Sequence, residues 1–245
     1  MPRKNKDVTL ISSFSLSYIN TLGVAAIIIL AAIAYSAWWM SSIHSMGTIE
    51  GERLPLAGNQ PSAQTMTFGG RQWTVLDTRD GQLLILSENV IKTQAFNTEG
   101  TPVTWENSSI RQLLNNEFIN SFNEEDRARI MLTHVINNDN PWFGTSGGND
   151  TYDYVFLLSV DEIVQYLGDS GQLQNRVDDA WRIEDRFNSF RVAFDLYDDA
   201  MWWWSRTMGL TEERVINVGF AGYVLIDGFP VAENGGVRPA MWITE

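Results

Sequence analysis

The chain has 245 residues, no cysteine, two histidines, ten tryptophans and a formal net charge of −13. That inventory excludes a disulfide framework, thiolate zinc, iron–sulfur clusters and a cysteine nucleophile, and two histidines cannot build a multi-histidine metal site. An excess of acids argues against nucleic acid, whose phosphates are met by clustered Lys and Arg.

The charge is unevenly spread. Arg3, Lys4 and Lys6 precede a long uncharged region, and no Asp, Glu, Lys or Arg occurs between Asp7 and Glu50. Within it, residues 20–40 are dominated by Ala, Ile, Leu and Val, long enough at 1.5 Å per residue to cross a hydrocarbon core of about 30 Å. Trp38 and Trp39 mark one interface and Tyr18 lies near the other, while the leading basic residues orient the N-terminus to the cytoplasm. The expected plan is a cytoplasmic segment (1–19), a transmembrane signal anchor (20–40), a linker (41–64) and an extracytoplasmic domain (65–245). A cleaved signal peptide is the competing reading, since Ala32-Ile33-Ala34 and Ala34-Tyr35-Ser36 offer small-residue cleavage sites.

Beyond the linker, rich in Ser, Gly and Pro, strands are predicted at 66–68 and 72–78. Asp80-Gly81 then signals a hairpin into the run 83–86. Ser109 opens a helix whose apolar positions, Ile110, Leu113, Leu114, Phe118 and Ile119, follow a helical period. Asn123, followed by Glu124, Glu125 and Asp126, starts a second helix that carries Ile130 and Met131. Residues 137–153 read as irregular loop and 154–158 as a buried strand. Ser159 and Glu162 form a capping box for a short helix that Gly168 stops. Strands at 201–205, 215–218, 223–226 and 241–243 complete an α+β domain.

Three motifs carry a resemblance. Phe68-Gly69-Gly70 with Trp73-Thr74-Val75-Leu76-Asp77 opens the domain. Asn140-Pro141-Trp142-Phe143-Gly144-Thr145 with Gly147-Gly148-Asn149-Asp150 stands in the middle. Trp203-Trp204-Ser205-Arg206-Thr207-Met208-Gly209 and Gly236-Val237-Arg238-Pro239-Ala240-Met241-Trp242 close it. The chain resembles a bacterial domain family of unknown function with these motifs, from about Thr67 to Ile243. Thr207-Met208 departs from the Ser-Pro usual there. That family is similar to the C-type-lectin-like fold of formylglycine-generating-type domains, which also close with a Gly-x-Arg strand. The resemblance implies short helices and mixed short strands, without the cysteine-dependent oxidation of those enzymes.

The resemblance leaves function to the site itself. The candidate ligand-binding residues are Trp202, Trp204, Arg206 and Tyr223. Indoles in a strand can stack on a sugar ring, although core packing is the plainer reading. Arg206 and Arg238 can clamp an anion, although structural pairing is again the plainer role. Asp139, Asn149, Asp150 and Asp153 concentrate hard oxygen ligands, and a structural calcium is the one cofactor this pattern allows; tight turns use the same residue types. Adjacent acids such as Asp178-Asp179 and Glu184-Asp185 read as solvated loop charges, and no hydrolase motif occurs. The expectation is a non-enzymatic cell-surface recognition or adhesion module with a glycan, peptide or protein ligand. The alternative is an accessory subunit of a larger membrane complex.

Overall fold

A computed structural model describes residues 64–245. The expected cytoplasmic segment, membrane span and nearly all of the linker lie outside the described residues, among which no helix is long and apolar enough to cross a membrane. The strands are β1 (Thr65–Phe68), β2 (Arg71–Arg79), β3 (Gln82–Ser87), β4 (Lys92–Ala95), β5 (Thr133–Val135), β6 (Thr151–Asp153) and β7 (Arg182–Ile183). They continue with β8 (Ala193–Phe194), β9 (Ala200–Met201), β10 (Trp203–Met208), β11 (Arg214–Val218), β12 (Val224–Pro230), β13 (Asn234–Val237) and β14 (Ala240–Thr244). Among the described residues the short α-helices are α1 (Ser109–Gln112), α2 (Glu124–Arg129), α3 (Val160–Leu167) and α4 (Asn188–Arg191).

Two sheets organise the domain. One has the order β1-β2-β3-β14 and the other β4-β13-β10-β11-β12-β7. The second sheet is mixed, because β10 and β13 run parallel while their other neighbours are antiparallel. The β2–β3 hairpin turns on Asp80 and Gly81, both at positive φ (50° and 75°), the backbone that an Asp-Gly pair accepts and most residues resist. β14 returns from the far end of the chain to pair with β3 from Gln82 to Leu86, so the last strand completes the first sheet. The described domain is therefore a sheet-rich α+β domain.

The helical stretch after Ser108 is less regular than its periodicity implies. Ser108 caps it by accepting from the Arg111 N–H at 3.2 Å, and α1 then passes through a π turn (Leu113–Phe118) and a 3-10 turn (Ile119–Ser121). Ile110, Leu114, Phe118 and Ile119 are buried. Asn123 caps α2, but that helix ends before Ile130, which is extended and bridges Ile243. The α3 capping box is present in full, and Gly168 ends the helix at φ 91°.

The strand expected at 154–158 does not form. The segment is apolar and buried from Val155 on, but its main-chain groups are satisfied mostly by side chains. Asn115 accepts from the N–H groups of Tyr154 and Val155 and donates to the Val155 carbonyl at 2.8 Å. The Leu157 carbonyl accepts from Arg206 at 2.7 Å. Only Phe156 makes a strand-like pair, with Ala240.

Trp73, Trp105, Trp203 and Trp204 are fully buried. At about 150–250 Å² each and roughly 25 cal/mol per Å², each contributes about 4–6 kcal/mol of gross transfer energy. Every one of these indole N–H groups is satisfied: Trp73 by the Phe68 carbonyl, Trp105 by Asp153, Trp203 by the Arg191 carbonyl and Trp204 by the Gln94 carbonyl, at 2.9–3.0 Å. The tryptophans thus fasten distant segments as well as filling the core.

Candidate functional site

Of the four expected ligand-binding residues, the structure brings together Trp202 and Trp204, whose rings meet edge-on at 4.7 Å. Trp204 is fully buried. Trp202 is half-buried, lies edge-on to Phe229 at 5.0 Å and occupies the space that a Cβ on Gly235 would need. Tyr223 packs its ring over Gly219 beneath the Arg182 guanidinium at 5.1 Å.

Arg206 is buried on β10, and protein acceptors take all five of its N–H donors. Nε reaches Asn137 Oδ1 at 3.2 Å. Nη1 reaches the Leu157 carbonyl at 2.7 Å and Glu162 Oε2, while Nη2 reaches the Ile136 carbonyl at 3.0 Å and Glu162 Oε1 at 3.2 Å. This bidentate fork leaves no donor for a ligand. It ties the 136–137 loop, the irregular 157 segment and the N-terminus of α3 to the central sheet.

The oxygen-rich residues of the 137–153 loop are likewise occupied within the protein. Asp153 is fully buried and accepts from Arg111 Nε at 2.7 Å, Trp105 Nε1 at 2.9 Å and Thr151 Oγ1 at 2.6 Å. Asp150 accepts from the Asn137 N–H at 2.9 Å and lies 3.3 Å from His134 Nε2. Asp139 accepts from the Gly147 N–H, and Asn149 donates to Glu106, both at 3.0 Å. Among the described residues no three His, Asp or Glu side chains converge as a metal cluster.

A partly exposed aromatic constellation lies elsewhere, and Asn140 builds it. This buried amide donates to the carbonyls of Met208, Gly209 and Ile226 at 2.8, 3.2 and 3.0 Å. Its Oδ1 accepts from the N–H groups of Trp142 and Phe143 at 2.9 and 3.1 Å. One side chain therefore fixes the 140–145 turn against β10 and β12, and Thr145 adds a bond to the Leu210 carbonyl. The turn presents Trp142 and Phe143 half-exposed.

Opposite them the 169–187 loop supplies Arg176, whose guanidinium carbon sits 4.9 Å from the Trp142 ring and 4.8 Å from the Phe143 ring. Trp181 stands 6.1 Å from Phe143 and is 53% exposed. Its position is set by its carbonyl, which accepts from the Ile226 N–H at 2.9 Å, and by Arg176, which donates to the Ala180 carbonyl through Nε and Nη2. Asp227, whose N–H reaches the Trp181 carbonyl at 3.4 Å, has a pKa above the usual carboxylate value because burial outweighs the pull of Arg214.

This platform can stack on an apolar face, whether a sugar ring or a planar or aliphatic side chain. In the sequence Trp142 and Phe143 stand out only as motif residues, and Arg176 and Trp181 are not among the candidates. The available signal was large aromatics inside a polar, turn-rich stretch, where burial by strand or helix periodicity is absent. A second exposed face lies on the β5–β6 ribbon, where Leu132, Ile136, Tyr152 and Tyr154 are exposed and the rings of His134 and Tyr152 lie 5.0 Å apart.

A sheet-rich α+β domain with this display defines the class. Residues 80–245 match DUF6273, a domain of unknown function, and the chain belongs to that family. No curated protein and no solved structure matches the chain.

Proposed function

We propose that this protein is a membrane-anchored recognition module whose extracytoplasmic domain binds a glycan, peptide or protein ligand. The observation that carries the reading is the platform of Trp142, Phe143 and Trp181 around Arg176, held by Asn140, by main-chain bonds and by the Trp142 indole N–H on the Leu173 carbonyl. A rigid scaffold displaying aromatics on loops suits recognition, because little side-chain entropy remains to be lost on binding. The anchor in this reading is the apolar segment 20–40, oriented by Arg3, Lys4 and Lys6. A C-type-lectin-like architecture is supported by the Gly236-Val237-Arg238 strand, whose arginine turns inward and donates to the Ser87 carbonyl at 2.9 Å.

The test is a glycan-array and pull-down screen with the full-length chain and its Trp181→Ala variant. A saturable ligand whose binding Trp181→Ala weakens at least tenfold is expected. No saturable ligand in either screen overturns the reading. Recovery of the intact chain, residues 3–6 included, in the soluble fraction overturns the anchor. A second reading, an accessory subunit of a larger membrane complex, is favoured by the exposed apolar face of β5–β6. In that case pull-down recovers one stoichiometric membrane partner, and Tyr152→Asp releases it.

A further inference from the structure

A cleft of about 370 Å³ lies on the first sheet, at the end of β3, lined among others by Arg71, Gln72, Glu88, Asn89, Ile91 and Leu196. Its volume falls in the range of about 300–1,000 Å³ typical of small-molecule pockets. It is separate from the aromatic platform and shares no named residue with it.

The floor of the cleft is rigid. In the loop from Ser87 to Ile91, the N–H groups of Ser87, Glu88, Val90 and Ile91 donate to the carbonyls of Pro239, Gln72, Phe194 and Val237, at 2.9–3.1 Å. The Ser87 hydroxyl closes the loop on the Asn89 carbonyl at 2.7 Å. Beneath it the buried Arg238 donates to the carbonyls of Ser87 and Glu88 and stacks on Trp203 at 5.0 Å. Burial pushes that guanidinium down to about 10, against the opposing pull of Glu88, so it stays charged at neutral pH.

Two opposite charges look into this cleft without meeting. Arg71 is steered by the rings of Phe118 and Phe122, at 5.2 and 5.8 Å, and makes one long bond to the Gly69 carbonyl. Among the described residues neither Arg71 nor Glu88 has an ion-pair partner within 4 Å, and Glu88 feels only the more distant charge of the buried Arg238. Val90, Ile91 and the Leu196 side chain, 79% exposed on the β8–β9 turn, supply an apolar wall. A neutral polyol would leave both charges unanswered. A simple anion or cation would answer only one.

We propose that this cleft binds a free zwitterionic α-amino acid with an apolar side chain. Its ammonium group pairs with Glu88, its carboxylate pairs with Arg71, and its side chain lies against Val90, Ile91 and Leu196. Binding needs no loop ordering, because the main chain around Glu88 is already held.

The experiment is a thermal-shift and calorimetric titration of the full-length protein with L-leucine. N-acetyl-L-leucine, L-leucinamide and dileucine serve as the three comparison probes. Binding to the folded state alone raises Tm, and a rise of about 2 °C or more at 10 mM leucine is expected. The acetylated and amidated probes, each missing one charge, give less than a third of that rise. Glu88→Gln and Arg71→Met each abolish the response to leucine. Should Arg71→Met fail to melt cooperatively, Glu88→Gln carries the test. The proposal is overturned by no rise with leucine, valine, isoleucine or phenylalanine, or by equal rises with the blocked probes. A wild-type response in Glu88→Gln overturns it too, as does a response to dileucine alone, which would mark a peptide-terminus site.

Discussion

Asn140 joins the fold to the proposed recognition surface, and replacing it separates two roles of one side chain. Asn140→Ala removes the donor shared by the carbonyls of Met208, Gly209 and Ile226, all within 3.2 Å of Nδ2. It also removes the acceptor for the N–H groups of Trp142 and Phe143. The carbonyls lie in the buried sheet and lose their partner outright, at about 1–3 kcal/mol per unsatisfied group. The two N–H groups are in a half-exposed turn that water reaches, and add little. Because one NH₂ serves three acceptors, the total is about 2–4 kcal/mol. At roughly 2–4 °C per kcal/mol for a domain of this size, Tm falls by about 4–16 °C.

Asn140→Asp is the sharper variant. It is nearly isosteric and keeps the acceptor toward the turn, yet it sets a carboxylate oxygen against three carbonyls. At neutral pH it costs at least as much as alanine. Its folded-state pKa is raised, so the deficit is relieved as pH falls toward the unfolded value of about 4 and reappears as pH rises through the folded value. Urea denaturation followed by tryptophan fluorescence at pH 4 and pH 7 reads both effects. If Asn140→Asp is milder than Asn140→Ala at pH 7, the donor role is refuted.

Four other outcomes are expected. Arg206→Met strands Glu162, the buried Leu157 carbonyl and the partly buried Ile136 carbonyl and costs about 3–5 kcal/mol, with Arg206→Lys intermediate; a loss under about 1 kcal/mol in chemical denaturation contradicts the hub role. Gly222→Ala costs more than Gly81→Ala by at least about 1 kcal/mol. Both residues hold positive φ, but a Cβ at 222 meets the Asn188 carbonyl oxygen at 1.8 Å while position 81 is open; equal losses show that strain alone matters. For Asp185, burial alone would raise the pKa. Bonds from the Ser170 and Phe187 N–H groups and the Ser170 hydroxyl, with the Arg191 guanidinium, reverse this and leave it below the usual carboxylate value. Its contribution is therefore present above about pH 4 and lost as pH falls through the folded value, and Asp185→Asn flattens the acid limb of the stability profile. EDTA leaves Tm within about 1 °C, because protein donors already occupy Asp139, Asp150 and Asp153; a larger drop means that calcium holds this loop.

Much of the fold was legible where a signal is local. Asp80-Gly81, the Ser159–Glu162 capping box, the Asn123 cap and the apolar run of β3 depend on residues within one turn or one strand of each other. Position 154–158 misled because apolar runs look alike whether a ladder or a side chain satisfies the main chain. Asn115, some 40 positions away, decided that. β13 was marked only by the Gly-x-Arg resemblance, because Asn234-Gly235-Gly236 has no strand-like composition; it forms because Gly235 and Gly236 let Trp202 and Trp204 approach.

The candidate site divided along the same line. Tryptophan count and motif position drew attention to Trp202 and Trp204, but composition carries no sign of which indole faces water. Trp204 entered the core through its bond to Gln94, while Trp181, isolated among acids, stayed exposed. Composition and local pattern determined an acidic, cysteine-free α+β domain behind an apolar, base-flanked segment, and with it the classes of chemistry excluded. Only the tertiary structure decided that Arg206 is consumed inside the protein, that the oxygen-rich loop is self-satisfied, and that Trp142, Phe143 and Trp181 converge. Burial and hydrogen-bond satisfaction depend on partners 40–110 positions distant, and no local pattern in the chain encodes that distance.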